Sequence, residues 1–564
     1  MNWLVKAIKD INYEYMLKNG SIMLLTLALV YNLVGPHYIM VTFPLTLLVN
    51  IIAKQNFKIK VYSKVVVITL VSVLIVIVSF IGGLNIYIGI GINLIALFTL
   101  MFCSISPYNI NFYKPYLMLY VFTQYTISGV NELWGAVFAV VLASVVVVGL
   151  SFILNYKVKD KLYGLGFKDI FEILNTIIIN KINKKGTEEL ETMLQESFYN
   201  LSYSIYIARH KKYLGTVLSD KKYKIYILLK EFSYFLIDYN ITTYEDIRKL
   251  YIYRKAILEI INYLEGDISQ EYIVESIKVS LNKEGIKDIG LISIIKCIIE
   301  IQNIPKKDIN KINTDIKRSE YDSFFSLLKH DYKYKAIRYR FSMRMAIALT
   351  ISLFFAEILD FYKIIWGVIT IFSILQPYYE ETKSRTIERL KANVIAIIIV
   401  GIILNITSSD KVAFLILVFS LYMIFAYKSY YRLSIFTSIA SMSISSIVES
   451  VNVLIIYRIG YIFIGIALVM FFNKYVYPYK IVNGASDLMK KILRFNRIII
   501  KESIENAKGK NNSSIVSDLV VQISLYNQKL YIRNQGMKDE YTKIFILTND
   551  RFVSKIGYNS LQNK

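Results

Sequence analysis

The sequence predicts an all-α polytopic membrane protein with two six-helix transmembrane repeats, each followed by a cytoplasmic helical domain. The chain of 564 residues is 55% hydrophobic, and its mean hydropathy is +0.45. Residues 19–156 carry six charges, fewer than the surface of a soluble domain needs, so this stretch is read as membrane spans. The net charge of +24 lies mainly in other stretches, which explains how a basic chain can also be hydrophobic.

Apolar and charged blocks alternate along the chain and predict five segments. These are a cytoplasmic N-terminus (1–18), transmembrane repeat 1 (19–156), a cytoplasmic helical domain (157–337), transmembrane repeat 2 (338–478) and a C-terminal cytoplasmic helical domain (479–564). The charged blocks have apolar residues at helical spacing, as in Ile170, Leu174 and Ile177, and are therefore predicted to be helical.

Glycine, proline and basic residues divide each apolar block into six candidate helices. They span 20–34, 38–53, 65–81, 88–103, 115–128 and 134–155 in the first block, and 341–359, 363–377, 392–407, 412–427, 433–447 and 454–473 in the second. Several are short for a bilayer core of roughly 30 Å. Short spans are typical both of helices broken around a substrate cavity and of hairpins packed at an angle.

Three short matches between the blocks predict an internal duplication. His37-Tyr38 matches Phe361-Tyr362, Tyr113-Lys114 matches Tyr431-Arg432, and Gly129-Val130-Asn131 matches Ser450-Val451-Asn452. The offsets of 324, 318 and 321 residues are nearly constant, as a parallel 6+6 repeat requires.

Basic residues predict the orientation in the membrane. Lysine and arginine gather at alternate connections between the candidate helices, while Glu132, Glu357, Asp360 and Glu449 lie at the opposite edge. Lys363, Lys411 and Arg458 run against this pattern and are outnumbered. By the positive-inside rule, both charged blocks and both termini are expected in the cytoplasm, with the protein in the cell membrane.

Several functional classes find no support in the residues. Cys103 and Cys297 do not form a disulfide framework, the three histidines have no metal-ligand spacing, and no phosphate-binding loop occurs. We therefore expect no enzyme, cofactor, metal or nucleic-acid partner. The first 18 residues lack a cleavage site typical of a signal peptide. Frequent Ile, Lys, Asn and Tyr suggest AT-rich coding and hence a low-GC bacterium.

The stretch from Arg338 to Ile406 resembles the fusaric acid resistance (FUSC) family, also called the aromatic acid exporter family. The resemblance rests on a basic-headed helix, a Tyr362-to-Trp366 entry, a Gln376-Pro377 exit and a helix start with Arg385 and Arg389. Ala392 and Asn393 stand where the family usually has Gly and Thr, and the first block lacks the Trp, Gln-Pro and arginine pair. The resemblance implies a membrane exporter of aromatic or other organic anions.

The candidate site residues fall into two groups. Those expected on a substrate or anion pathway are Arg344, Trp366, Gln376, Arg385, Arg389 and Asn393. Guanidinium groups bind carboxylates bidentately, yet the same residues could instead anchor the protein at the interface or terminate helices. Glu357 and Glu132 are candidates for proton coupling, since a carboxylate in contact with the pathway can titrate near neutral pH. Both could equally be solvated residues at the ends of hairpins.

Three functional hypotheses remain open at this stage. The first is a proton-coupled secondary transporter that exports small organic anions, working as a homodimer in the lipid bilayer. The second is a passive organic-anion channel, and the third is a non-transporting membrane scaffold for envelope proteins.

Overall fold

A computed structural model describes most of the chain. The described residues are 11–49, 61–105, 112–155, 165–207, 217–283, 290–304, 336–359, 364–407, 409–427, 429–447, 449–508 and 513–562. Within these ranges the regular structure is helical throughout, which confirms the all-α class. The chain divides into two compact units: a membrane unit (Met1–Tyr156 and Phe325–Ile481) and a polar unit (Lys157–Phe324 and Val482–Lys564).

The first half of the chain supplies twelve of the described helices. The membrane-unit helices are α1 (Tyr13–Leu33), α2 (Ile39–Thr46), α3 (Val61–Gly83), α4 (Ile86–Ser104), α5 (Tyr113–Thr126) and α6 (Val130–Asn155). Those of the polar unit are α7 (Leu165–Ile182), α8 (Glu188–Ile207), α9 (Val217–Asp238), α10 (Tyr244–Glu265), α11 (Gln270–Lys283) and α12 (Leu291–Gln302).

The second half adds nine described helices. The membrane unit continues with α13 (Ile337–Leu359), α14 (Ile365–Ile374), α15 (Tyr379–Thr407), α16 (Asp410–Met423), α17 (Tyr430–Ser445) and α18 (Val451–Tyr475). The polar unit ends with α19 (Ile481–Ala507), α20 (Ser513–Met537) and α21 (Glu540–Gln562).

Seven described helices are long and apolar enough to cross a membrane, and they establish a polytopic membrane protein. They are α1, α3, α4, α6, α13, α15 and α18. The other described helices of this unit, α2, α5, α14, α16 and α17, have 8, 14, 10, 14 and 16 residues. The described helices of the membrane unit are therefore of two kinds, long and short, and the short ones are typical of broken or tilted segments.

The largest difference from the predicted helix boundaries is at α15. The sequence pattern predicts a helix from residue 392, whereas α15 begins at Tyr379. Its first turns carry Glu380, Glu381, Lys383, Arg385, Glu388 and Arg389, so a search for apolar runs misses them. The arginines predicted at the mouth of this helix consequently lie within it.

The two halves of the membrane unit contact each other reciprocally. α4 packs against α13, and α1 packs against α16. Gly20 of α1 makes the second contact possible, since a Cβ there would lie 2.2 Å from the Tyr422 ring. Within the halves, α3 packs on α6 and α15 on α18. Two similar halves would make contacts of this kind, while the internal duplication stays a prediction.

The polar unit is held together by a buried polar network. Lys230 of α9 donates to Asp550 of α21 over 2.6 Å and to the Tyr226 hydroxyl over 3.0 Å. The Tyr234 hydroxyl donates to the other Asp550 oxygen at 2.7 Å. Burial alone would lower the pKa of Lys230, but the Asp550 carboxylate outweighs it, and the net shift of this pKa is upward. Lys230 thus keeps its charge in the interior, and its bond to Asp550 joins helices that are distant in sequence.

Replacing Lys230 with Met should destabilise the protein by about 3–5 kcal/mol, because it leaves the buried Asp550 carboxylate without its counter-charge. The double variant K230M/D550L should recover most of that loss. Both stability changes can be measured by chemical denaturation of the detergent-solubilised chain, with the protease sensitivity of the polar unit as the readout of unfolding.

The matched control is the exposed pair of Arg551 and Asp238, whose atoms lie 2.8 Å apart and whose side chains are half exposed. Replacing Asp238 with Asn should cost less than about 1 kcal/mol. Equal losses of stability at the buried pair and the exposed pair would contradict a stabilising role for the buried network.

Candidate functional site

A break between α14 and α15 is held together by Arg344. Leu375 is extended after α14, and α15 starts again at Tyr379. The fully buried Arg344 of α13 donates from Nη2 to the carbonyl oxygens of Gln376 and Pro377, at 2.6 and 2.8 Å. Its Nη1 donates to Oδ1 of Asn473 in α18 at 3.2 Å. Arg344 therefore supplies donors to carbonyls that the helix break leaves without helical partners.

Gln376 makes its hydrogen bonds to residues at the same break. Its Nε2 donates to the carbonyl of Leu375 at 2.7 Å, and its backbone N–H donates to Thr382 Oγ1 at 3.0 Å. Two of the predicted pathway residues, Arg344 and Gln376, thus form the joint between α14 and α15.

A polar stripe runs along one face of α15. Arg385, Arg389 and Asn393 follow each other at intervals of four residues, so their side chains lie above one another. The guanidinium of Arg385 stacks on the Tyr430 ring of α17 at 4.4 Å, and Asn393 Oδ1 accepts from the Ser438 hydroxyl at 2.9 Å. The stripe passes from partly exposed Arg385 to buried Arg389 and Asn393.

Arg458 of α18 completes this region. Its Nε donates to Asn393 Oδ1 at 3.1 Å, and its Nη2 donates to Ser438 Oγ at 3.0 Å. Its guanidinium lies over the Trp366 ring of α14, 4.9 Å from the ring centroid. Arg458 and Trp366 are only 3% and 5% exposed. We call Trp366, Asn393, Ser438 and Arg458 the central cluster.

The sequence analysis missed two members of the central cluster. Arg458 counted there only as an exception to the charge pattern, although an arginine inside an apolar helix is itself a sign of a polar partner or a cavity. Ser438 carried no such sign, because α17 contains many serines. Of the predicted residues, the structure brings Trp366 and Asn393 into the cluster.

α15 and α17 run in the same direction, and side chains of the two helices contact each other at two described levels. Arg385 meets Tyr430, and eight residues further along each helix Asn393 meets Ser438. This equal spacing places Arg389 and Ser434 at the same level, between the two contacts. Both are buried, yet Arg389 Nε and Ser434 Oγ make no hydrogen bond within the described residues.

The buried positive charge lacks a nearby carboxylate. Arg389 and Arg458 are close enough to repel each other, and neither makes an ion pair within the described ranges. Nearer the start of α15, the charge of Arg385 acts on Lys114 of α5, and Glu381 opposes it. An anion would therefore meet partly balanced charge at Arg385 and unbalanced charge at Arg389.

The two candidate coupling carboxylates have no described contact with the central cluster. Glu132 accepts hydrogen bonds from the backbone N–H and hydroxyl of Ser128, at 2.8 and 3.1 Å, and lies 4.0 Å from His37 Nε2. Glu357 is exposed near the end of α13. Asp360, Tyr362 and Lys363 lie outside the described residues. In the described part of the chain, no group of three His, Cys, Asp or Glu residues could hold a metal ion.

One comparison with known proteins finds a match. Residues 350–472 match a family model described as fusaric acid resistance protein-like, which confirms the resemblance seen in the motifs. The matched segment contains the whole central cluster and the α15 stripe, but not Arg344. No curated protein and no solved structure matches the chain.

Replacing Arg344 with Met should lower the stability of the membrane unit by about 3 kcal/mol, because buried acceptors at the α14–α15 break lose their donor. The midpoint of thermal unfolding in detergent should fall accordingly. R385M serves as the control, since Arg385 is partly exposed, and it should change stability by less than about 1 kcal/mol. A midpoint for R344M equal to that of R385M would refute the structural role.

Proposed function

We propose that this protein exports small organic anions from the cytoplasm across the cell membrane. The observation that carries the proposal is the buried guanidinium of Arg389, which has no acceptor or counter-charge within the described residues. An unpaired buried ion costs several kcal/mol, and a bound anion would offset that cost. The match of residues 350–472 to a family named for fusaric acid resistance supports an efflux role.

The α15 stripe is the proposed pathway for the anion. Lys114 and Arg385 would attract it from the cytoplasm, where both termini are placed by the positive-inside rule. Arg389, one turn further along, would then bind it by a charge-assisted hydrogen bond. Access from the two sides would alternate as the halves of the membrane unit move relative to each other.

Aromatic surfaces next to the arginines support flat substrates. The Tyr430 ring stacks on Arg385 and the Trp366 ring on Arg458, so each guanidinium is already paired with a planar apolar surface. A carboxylate attached to an aromatic or similarly flat body could stack near these rings while its charge meets an arginine. The proposed substrate class is therefore small, predominantly apolar carboxylates.

Replacing Arg389 with Met should reduce efflux of an aromatic carboxylate from proteoliposomes at least about tenfold, because the transported anion loses a charge-assisted hydrogen bond of about 1.5–3 kcal/mol. Lys391 provides the control, since it lies on the same helix but is exposed. K391M should export at nearly the normal rate. Normal efflux by R389M would contradict the pathway.

Export is proposed to be driven by protons entering through Glu357, with Glu132 as the second candidate. Replacing Glu357 with Gln removes a titratable group, so efflux should lose its acceleration by an imposed pH gradient while downhill anion exchange continues. E132Q should keep the acceleration, because the Glu132 carboxylate is already engaged by the backbone N–H and hydroxyl of Ser128. Unchanged acceleration in both variants would exclude these two coupling sites.

A passive anion channel is the second candidate. It is favoured because no described hydrogen bond or ion pair links Glu357 or Glu132 to the central cluster. Currents across a planar bilayer that reverse at the equilibrium potential of the anion, whatever the pH gradient, would establish the channel and overturn coupled export.

A further inference from the structure

Arg389 and Ser434 lie at one level between two occupied layers of side chains. The layer on one side is the stack of Arg385 on Tyr430, and the layer on the other is the hydrogen-bonded pair of Asn393 and Ser438. Arg389 is 4% exposed and Ser434 is fully buried. Two buried donors at one level between α15 and α17, with no acceptor among the described residues, indicate a ligand that supplies one.

Arg458 makes its described hydrogen bonds in the neighbouring layer, not at the level of Arg389 and Ser434. Its Nε and Nη2 are already engaged by Asn393 and Ser438, and Trp366 covers its face. Its charge nevertheless acts on Arg389. Arg458 therefore adds positive potential while its Nε and Nη2 remain bonded, whereas the Nε of Arg389 has no acceptor within the described residues.

The burial of Arg389 and Ser434 limits the class of ligand. The hydrogen-bonded pair of Asn393 and Ser438 separates their level from the buried apolar cluster of Ala396, Ile439 and Met442. Strongly hydrated inorganic anions would lose their hydration at so buried a level, where two described donors would have to replace it.

We propose that Arg389 and Ser434 form a binding site for a single carboxylate group of a small organic anion. The site rests on the proposed export function and deepens it, because it assigns the step at which the anion is held within the membrane unit. One guanidinium edge matches the two coplanar oxygens of a carboxylate, and the serine hydroxyl donates a further hydrogen bond.

The first test measures binding to the full-length purified protein. Hexanoate is the carboxylate probe, and inorganic phosphate and chloride are the comparison anions. Isothermal titration gives the affinity, and the emission of Trp366 in a W3F/W134F background reports binding near the central cluster. Hexanoate should bind and change this emission. Phosphate and chloride should bind at least about tenfold more weakly than hexanoate. Phosphate binding as tight as that of hexanoate would overturn the carboxylate assignment.

Substitutions then locate the site. R389M should weaken hexanoate binding at least about tenfold, and S434A should weaken it about threefold to tenfold. S446A is the matched control, since Ser446 follows the same helix and its hydroxyl donates to the Ser443 carbonyl. It should bind normally. Unchanged affinity in both R389M and S434A would refute the site.

A variant expected to fold well guards against loss of binding by unfolding. Asn393→Asp places a carboxylate beside Arg458 and one turn from Arg389, where it supplies the missing negative charge. N393D should unfold at a higher temperature than the unmodified protein and bind hexanoate at least about tenfold more weakly. A stabilised N393D protein that binds hexanoate normally would overturn the proposal.

The site and the export function fail in different ways. Hexanoate binding that depends on Arg389 and Ser434, without efflux from proteoliposomes, would refute export and leave the site standing. Efflux that persists while R389M and S434A bind and transport hexanoate normally would refute the site and leave export standing.

Discussion

The membrane unit depends on one constraint: a polar group placed inside it must find its partner within the protein. A helix that breaks there exposes carbonyl oxygens that lipid cannot satisfy. Arg344 resolves this problem at the α14–α15 break, where it donates to the carbonyls of Gln376 and Pro377. Asn473 ties the same guanidinium to α18, so one side chain connects α13, the α14–α15 break and α18.

The arginines of the second half meet that constraint to different degrees. Arg344 has acceptors on two helices or their connections, and Arg458 has Asn393 and Ser438. Arg389 has none within the described residues. Because a buried guanidinium is expensive to desolvate, the difference separates residues that hold the structure together from one that is available for an anion. Arg385, which is only partly buried, belongs to the approach rather than to the interior.

The described contacts also show why an arginine in an apolar helix is ambiguous from sequence. Arg344 and Arg458 each follow the start of a hydrophobic segment, and their sequence contexts do not distinguish a structural role from a binding role. Their acceptors come from residues 32 to 129 positions away for Arg344, and 20 and 65 away for Arg458. Which acceptors are reached depends on helix packing, and this distance in sequence explains why Arg458 was read only as an exception to the charge pattern.

The sequence alone predicts the helical class, the membrane character and the family-like segment, because hydrophobic runs, charge spacing and short motifs are local properties of the chain. It also placed Arg385, Arg389 and Asn393 on one helix face, since a spacing of four residues is enough for that. Packing brings Gln376 and Arg344 together at one joint, places Trp366 under Arg458, and puts Arg389 and Ser434 at one level, where Arg389 Nε and Ser434 Oγ have no acceptor among the described residues. These outcomes depend on the register of α15 against α17 and α18, which is set by side-chain packing between segments far apart in the chain.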